Sequence, residues 1–269
     1  MNLSVMRILI LGDVMGRPGR RAVRDLVPSL ISEERLDLVV ANAENAAGGM
    51  GVDIKSAKEL MSAGVNVLTS GNHIWKKKEI YAYLEQEDRL LRPANFPAGA
   101  PGKGWCTWRH GDLSALVVNV QGRVFMPNHV EDPFRCVDAI LKEHGQHSKV
   151  VIVDMHAEAT SEKNAMGWYL DGRVSAVFGT HTHIQTSDER ILPNGTAYIT
   201  DVGMCGPFDS VIGMEKETVI SGFITQLPRK FEVAQGNVVL QGIVVDVDPT
   251  TGKAREMRRL RLHHEPLTY

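Results

Sequence analysis

From its amino end, the chain alternates between short apolar runs and longer amphipathic stretches. The runs are RILILGD (7–13), LDLVVANAEN (36–45), VNVLTSGNH (65–73), LSALVVNV (113–120), KVVIVDMHAE (149–158) and VSAVFGTHTH (174–183). Each is nearly continuous in Val, Ile and Leu instead of alternating, which predicts strands covered on both faces. Helical spacing occupies RRAVRDLVPSLISEE, DIKSAKELMSAG, KKKEIYAYLEQ and PFRCVDAILKEHG between them. Strand, helix, strand in that order predicts an α/β fold built on a mainly parallel sheet. The last third changes character: TAYITD and FITQL read as strand-like, and NVVLQGIVVDVD runs through PTTGK to REMRRLRLHH as a hairpin with clearer alternation. That pattern predicts a second, more antiparallel sheet packed on the first. The Pro- and Gly-rich RPANFPAGAPGKG (92–104) reads as a loop within one domain, so residues 1–269 are expected to form a single domain.

Composition narrows the function. At 269 residues and 43% hydrophobic, the chain can bury a large core. Thirty basic against 32 acidic side chains give a net charge of −2, so no overall basic field recruits nucleic acid or an anionic membrane. Aromatic residues make up 6%, which favours a small substrate over an extended nucleic-acid groove. The cysteines, Cys106, Cys136 and Cys205, are far apart and in no CxxC spacing, which argues against disulfides or a structural zinc site and for a reducing cytoplasm. The first apolar run lacks the layout of a secretory signal, and no run approaches the roughly 20 apolar residues of a membrane span. No membrane partner is expected.

The chemistry gathers at the ends of the apolar runs. Strand one ends in Asp13, strand two in Glu44 and Asn45, strand three in Asn72 and His73, strand five in His156, and strand six in FGTHTHIQT with His181 and His183. In an extended segment His181 and His183 share one face. Taken singly, each residue has an ordinary structural role: Asp13 and Asn72 suit turns, and His73 and His156 suit satisfied structural histidines. Taken together, they occupy the strand ends where open α/β proteins form ligand sites. The donors exceed what one four-coordinate zinc needs, which points to two metals. A carboxylate is the natural bridge between two cations, and Glu44 is the central candidate. Nitrogen and oxygen donors without thiolate suit manganese, iron or zinc better than calcium, and leave the choice among the three open.

These residues resemble a known family. GD (12–13), NAEN (42–45), GNH (71–73), the isolated His156 and GTHTH (179–183) resemble the ordered blocks of the calcineurin-like metallophosphoesterase superfamily. The longer text GDVMGRPGR, NAENAAGG, SGNHIW, HAEATSEK and GTHTHIQT is similar to its YmdB-like branch, and TDVGMCGP (200–207) extends the match. The resemblance implies an α/β, four-layer αββα sandwich of two mixed β-sheets flanked by helices. It also implies hydrolysis of a small cyclic nucleotide such as 2',3'-cAMP at the 2' bond, yielding the 3'-nucleotide. Two divalent ions are implied as cofactors, iron or manganese, with zinc also compatible. One ion would be held by Asp13, Glu44, Asn45 and His183, and the other by Glu44, Asn72, His156 and His181, with Glu44 as bridge. A metal-bound hydroxide would attack phosphorus while His73, as general acid, protonates the leaving oxygen. The chain departs from the wider superfamily at Met15, where many members carry histidine, at Glu44, where aspartate is commoner, and at Ile74. The last leaves open what orients His73.

Other readings share these residues. The same centre could serve a phosphomonoesterase or an RNA-processing nuclease, with RNA-derived ends as partners, or a non-catalytic metal-binding regulator. In a metal-dependent amidohydrolase the HxH pair belongs to the first strand of a barrel, whereas here it follows the sixth. A homo-oligomer is compatible with the sequence. Lesser candidates are Arg17 and Arg20 for phosphate, Thr160, Ser161 and Lys163 as pocket lining, and Trp75 for stacking on a base; His263 and His264 read as exposed hairpin residues.

Overall fold

The computed structural model describes residues 5–264. The chain opens with β1 (Met6–Leu11), β2 (Asp13–Val14), α1 (Gly16–Glu34), β3 (Leu38–Asn42), α2 (Ile54–Ser62) and β4 (Val67–Thr69). After a short 3-10 helix, Ile74–Lys76, come α3 (Ile80–Leu84), β5 (Trp105–His110), β6 (Leu113–Gln121) and α4 (Pro133–His144). The centre of the second half is β7 (Val150–His156), α5 (Thr160–Tyr169), β8 (Ala176–Thr180), β9 (Arg190–Ile191) and β10 (Ala197–Ile199). Last come β11 (Met204–Pro207), α6 (Lys216–Thr225), β12 (Val238–Val247) and β13 (Ala254–His264).

Two sheets result. In the first, β1 lies parallel to β3 and β3 to β4, while β12 pairs antiparallel with both β1 and β13. In the second, β6, β7, β8 and β10 run parallel, with β5 and β9 antiparallel at the edges. Side chains alternate across each strand, and this sorts the core into three layers of apolar contact. Ile8, Ile10, Val40 and Ile243 of the first sheet meet Val117, Ile152 and Phe178 of the second. Leu9, Leu11 and Val39 face the other way, onto Val23 and Val27 of α1 and Leu60 of α2. On the far side, Leu116, Val118 and Val151 pack on Val137 of α4 and Met166 of α5. Helices, sheet, sheet, helices is the four-layer αββα order that the family resemblance implied.

The structure corrects several expectations. The C-terminal hairpin is present, but it does not found a second sheet: β12 inserts beside β1 in the first, because its apolar residues on both faces need covering on both sides. FITQL (223–227) is not a strand; Phe223 to Thr225 close α6, whose C-cap Gln226 is left-handed. The strand ends therefore do not line one sheet. Asp13, Glu44 and Asn72 come from the first sheet, whereas His156, His181 and His183 come from the second. The segment 92–104 is a pinned loop: the buried Arg92 donates to the carbonyls of Pro93 at 2.8 Å, Ala94 at 3.2 Å and Pro101 at 3.3 Å.

Candidate metal centre

All eight predicted site residues are brought to one edge, where the carboxyl ends of both sets of parallel strands converge. Asp13 lies in β2, Glu44 and Asn45 just after β3, Asn72 and His73 after β4, His156 at the end of β7, and His181 and His183 just past β8. Asp13, Glu44, Asn45, Asn72, His156 and His183 are buried, whereas His73 and His181 are half-buried. Glu44 is central. Its Oε2 lies 3.1 Å from His156 Nε2, and its Oε1 lies 3.4 Å from His73 Nδ1. Asn72 Oδ1 approaches the same His156 Nε2 at 3.0 Å. Asp13 Oδ1 faces His183 Nε2 at 3.6 Å.

The HxH pair reaches the site by a different geometry from the one the sequence predicts. The strand stops at Thr180, and both histidines are left-handed, with φ of 95° at His181 and 64° at His183. They are not two positions on one strand face. This conformation is unfavourable for residues other than glycine, and it is held by a buried clamp. Asp201 Oδ2 accepts from Thr182 N at 3.2 Å and Thr182 Oγ1 at 2.6 Å, and Lys163 Nζ donates to Asp201 at 2.8 Å and to Thr182 at 3.1 Å. Thr182, between the two histidines, is the anchor of the loop. Lys163 is buried structure, not pocket lining.

Each imidazole is oriented from behind. His183 Nδ1 donates to the Ile212 carbonyl at 2.8 Å, which turns Nε2 towards Asp13. His156 Nδ1 meets Thr180 Oγ1 at 2.8 Å, and that hydroxyl donates to Asp154, leaving Nε2 towards Glu44. His181 Nε2 lies 3.2 Å from Glu158, so its Nδ1 is the free nitrogen. Partners of this kind fix the ring and tautomer of metal-ligating histidines. Asp154, invisible as a site residue in the sequence, holds Thr69, Thr180 and Asn42 together across the sheets, and burial pushes its carboxyl up to about 7.

The electrostatics are those of a cation site. Burial raises carboxyl pKa values, yet the charge of the facing His183 outweighs it in Asp13 and holds that carboxyl below its usual range. In Glu44 the same opposition, won by His156 and then His73, leaves the carboxyl well below its ordinary value. Burial lowers His183, but the facing Asp13 overcomes this and pushes it up to about 9. Burial and the neighbouring His156 push His181 down to about 3.

Divalent metals fit this donor set. Glu44, His156 and His181 each present a ligand atom, and the three lie within 4.8 Å of one another. Asp13 Oδ1 and His181 Nδ1 are buried with no hydrogen-bond partner, an expensive arrangement unless something else binds them. Gly71 is required at this point, because a Cβ there would fall on His156 Nε2 and Glu44 Oε2. Asn45 turns its Nδ2 to Glu44 Oε1 at 3.2 Å and His183 Nε2 at 3.1 Å, and its Oδ1 to His73 Nδ1 at 2.9 Å. Coordination through Oδ1 requires that amide to turn over.

Among the lesser candidates, Trp75 is committed to edge-on packing against Phe96 and Tyr81, at 5.3 and 5.5 Å, so it is not a free stacking surface. Arg20 pairs with Glu59 at 2.7 Å. His264 is buried against Asp25 at 2.9 Å, not exposed.

The four-layer sandwich with mixed carboxylate, amide and imidazole donors at its edge defines a metallophosphoesterase. The family described as YmdB-like protein matches over residues 9–260. The chain is 47% identical to a 2',3'-cyclic-nucleotide 2'-phosphodiesterase of Bacillus subtilis (strain 168), across 98% of this chain and 100% of that one. It resembles the solved structure of a hypothetical protein from Thermus thermophilus, with a TM-score of 0.91 and 45% identity, covering 97% of this chain and 100% of that one. It also resembles that of a novel phosphatase from Mycoplasma pneumoniae, with a TM-score of 0.92 and 36% identity over 98% and 96% of the two chains. The chain belongs to the YmdB-like family and is a metal-dependent phosphoesterase.

Proposed function

We propose that this protein is a dinuclear phosphodiesterase that opens small 2',3'-cyclic nucleotides at the 2' bond and releases 3'-nucleotides. The observation that carries this reading is the position of Glu44, whose two oxygens face opposite halves of the donor cluster, His156 on one side and His73 with Asn45 on the other. Asp13, Glu44, Asn45 and His183 would hold one divalent ion, and Glu44, Asn72, His156 and His181 the other. Iron, manganese and zinc all match the donors. When bound, such a pair supplies Lewis acidity that activates water and offsets charge on the phosphoryl oxygens. The name of the Bacillus subtilis relative supports the substrate and the bond cleaved.

The chain's own contribution is orientation and a proton. Asn45 faces His73 Nδ1 whichever way its amide is turned: as Oδ1 it accepts the Nδ1 hydrogen, and turned over for coordination it presents Nδ2 to that nitrogen, so in both states Nε2 is left to serve substrate. His73 is half-buried, with 24% of its side chain exposed, so Nε2 can reach a ligand. In this proposal a protonated His73 gives its Nε2 proton to the leaving 2' oxygen as the phosphorus–oxygen bond breaks. The pairing of β1 with β12, near opposite ends of the chain, supports one domain over residues 1–269.

Initial rates on 2',3'-cAMP, a nucleoside monophosphate and single-stranded RNA, with products separated by chromatography, test the proposal. The expected result is fast conversion of the cyclic nucleotide to the 3'-nucleotide. Comparable rates on RNA, or a 2'-nucleotide product, would overturn it.

A further inference from the structure

The loop that leaves β6 passes directly beside the metal centre. Gln121 is in register with His156, and Gly122 N donates to the His156 carbonyl at 2.9 Å. The next two amides, Arg123 N and Val124 N, donate to the carboxylate of Glu162 at 3.0 and 3.2 Å. Glu162 is itself buried in the first turn of α5, so the loop is fastened to the scaffold by its backbone. Met126 N then donates to the Arg123 carbonyl at 3.4 Å, closing a four-residue turn with Phe125 in third position.

Phe125 is the wrong residue for that position on structural grounds. Its φ is 62°, while Val124 has no positive φ, the pattern of a turn that calls for glycine or asparagine in third place. The residue is 85% exposed, so core packing does not compensate for the strained backbone. The surroundings share this character. Met50, Ile184 and Ile212, on the segments that carry Glu44 and His183 or hold the latter's ring, are exposed at 42%, 61% and 49%. Exposed apolar side chains thus occur on the segments that carry the polar donor cluster, and Phe125 is an exposed aromatic on a turn anchored beside His156. Phe125 is three Cα–Cα steps from Gly122, so its Cα is within about 11 Å of the residue whose amide meets the His156 carbonyl.

We infer that Phe125 is the platform on which the base of the nucleotide stacks, an inference that rests on the cyclic-nucleotide reading above. The phosphoryl group enters the polar cluster, and the base, whose π-face is apolar, lies on the exposed ring. Stacking of this kind tolerates purine and pyrimidine alike. Phe125 is accordingly a specificity residue that acts on binding and takes no part in bond breaking.

Steady-state kinetics of Phe125→Ala, Phe125→Trp and the wild type, on 2',3'-cAMP and on base-free ribose 2,3-cyclic phosphate, test this. The alanine variant is expected to raise KM for 2',3'-cAMP about 10-fold or more, with kcat unchanged and the base-free diester unaffected, while tryptophan restores binding. Phe125→Gly is expected to lose the same affinity yet melt at an equal or higher temperature, because glycine accepts the left-handed turn. Equal losses on both substrates, no loss on either, or a change of oligomeric mass in the alanine variant would each overturn the stacking role. Wild-type protein that hydrolyses neither diester would instead overturn the phosphodiesterase reading, and this inference with it.

Discussion

Asn45 Oδ1 lies 2.9 Å from His73 Nδ1, so the residue beside the candidate bridge is also the one that orients the imidazole. Where Ile74 left that orientation open, the contact comes from the adjacent strand of the first sheet. His73→Ala is therefore expected to slow hydrolysis of 2',3'-cAMP by about 10²–10⁴-fold, with metal content unchanged. A diester with a good leaving group, such as a nitrophenyl ester, should lose far less. Equal losses on both would remove His73 from the role of acid.

His183 and Asp13 make metal loading a proton exchange. In the metal-free protein Asp13 pushes His183 up to about 9, above its ordinary unfolded value. A raised folded pKa gives stability that is fully present below the unfolded pKa of about 6.5, and that is lost as pH rises through about 9. Metal-free protein should thus lose on the order of 2–3 kcal/mol between these limits, and His183→Ala should flatten that slope. Adding manganese at pH 7 in weak buffer should release protons, since ligation needs neutral imidazole; calorimetry in buffers of different ionisation enthalpy reads the number, and zero would contradict the pairing.

The Lys163–Asp201 pair is buried at both ends. Lys163→Met leaves a buried carboxylate unpaired and is expected to destabilise the fold by about 3–5 kcal/mol. Denaturant titration of Lys163→Met, Asp201→Asn and the double variant should show the double change costing less than the sum. Additive losses would mean that the two side chains do not act together on Thr182.

Gly71→Ala places a methyl group on His156 Nε2 and Glu44 Oε2. Its measured metal content should fall sharply. A fully loaded Gly71→Ala protein would show that the two side chains are farther apart than the structure has them.

Much of this was legible in the sequence, for identifiable reasons. Asp13, Glu44, Asn72 and His156 follow apolar runs that do become strands, so position along the chain translated into position in space. His181 and His183 were found by spacing, but the strand geometry assigned to them failed, because residue type does not encode the left-handed backbone that the Asp201 anchor imposes. Asp154 and Asp201 are not legible as supports and Lys163 reads as pocket lining, because a charged residue's buried partner is not encoded locally: Lys163 lies 38 positions from Asp201. The helix α5 hid for the same reason, since its buried face includes Glu162 and Lys163. FITQL misled because its β-branched and aromatic residues suit a strand equally well.

The central claim is a two-ion centre bridged by Glu44, and metal content per chain combined with anomalous diffraction tests it most directly. The account predicts two ions per chain on either side of the Glu44 carboxylate, about 3.5–4 Å apart. A single ion, or two ions with neither touching Glu44, would contradict it.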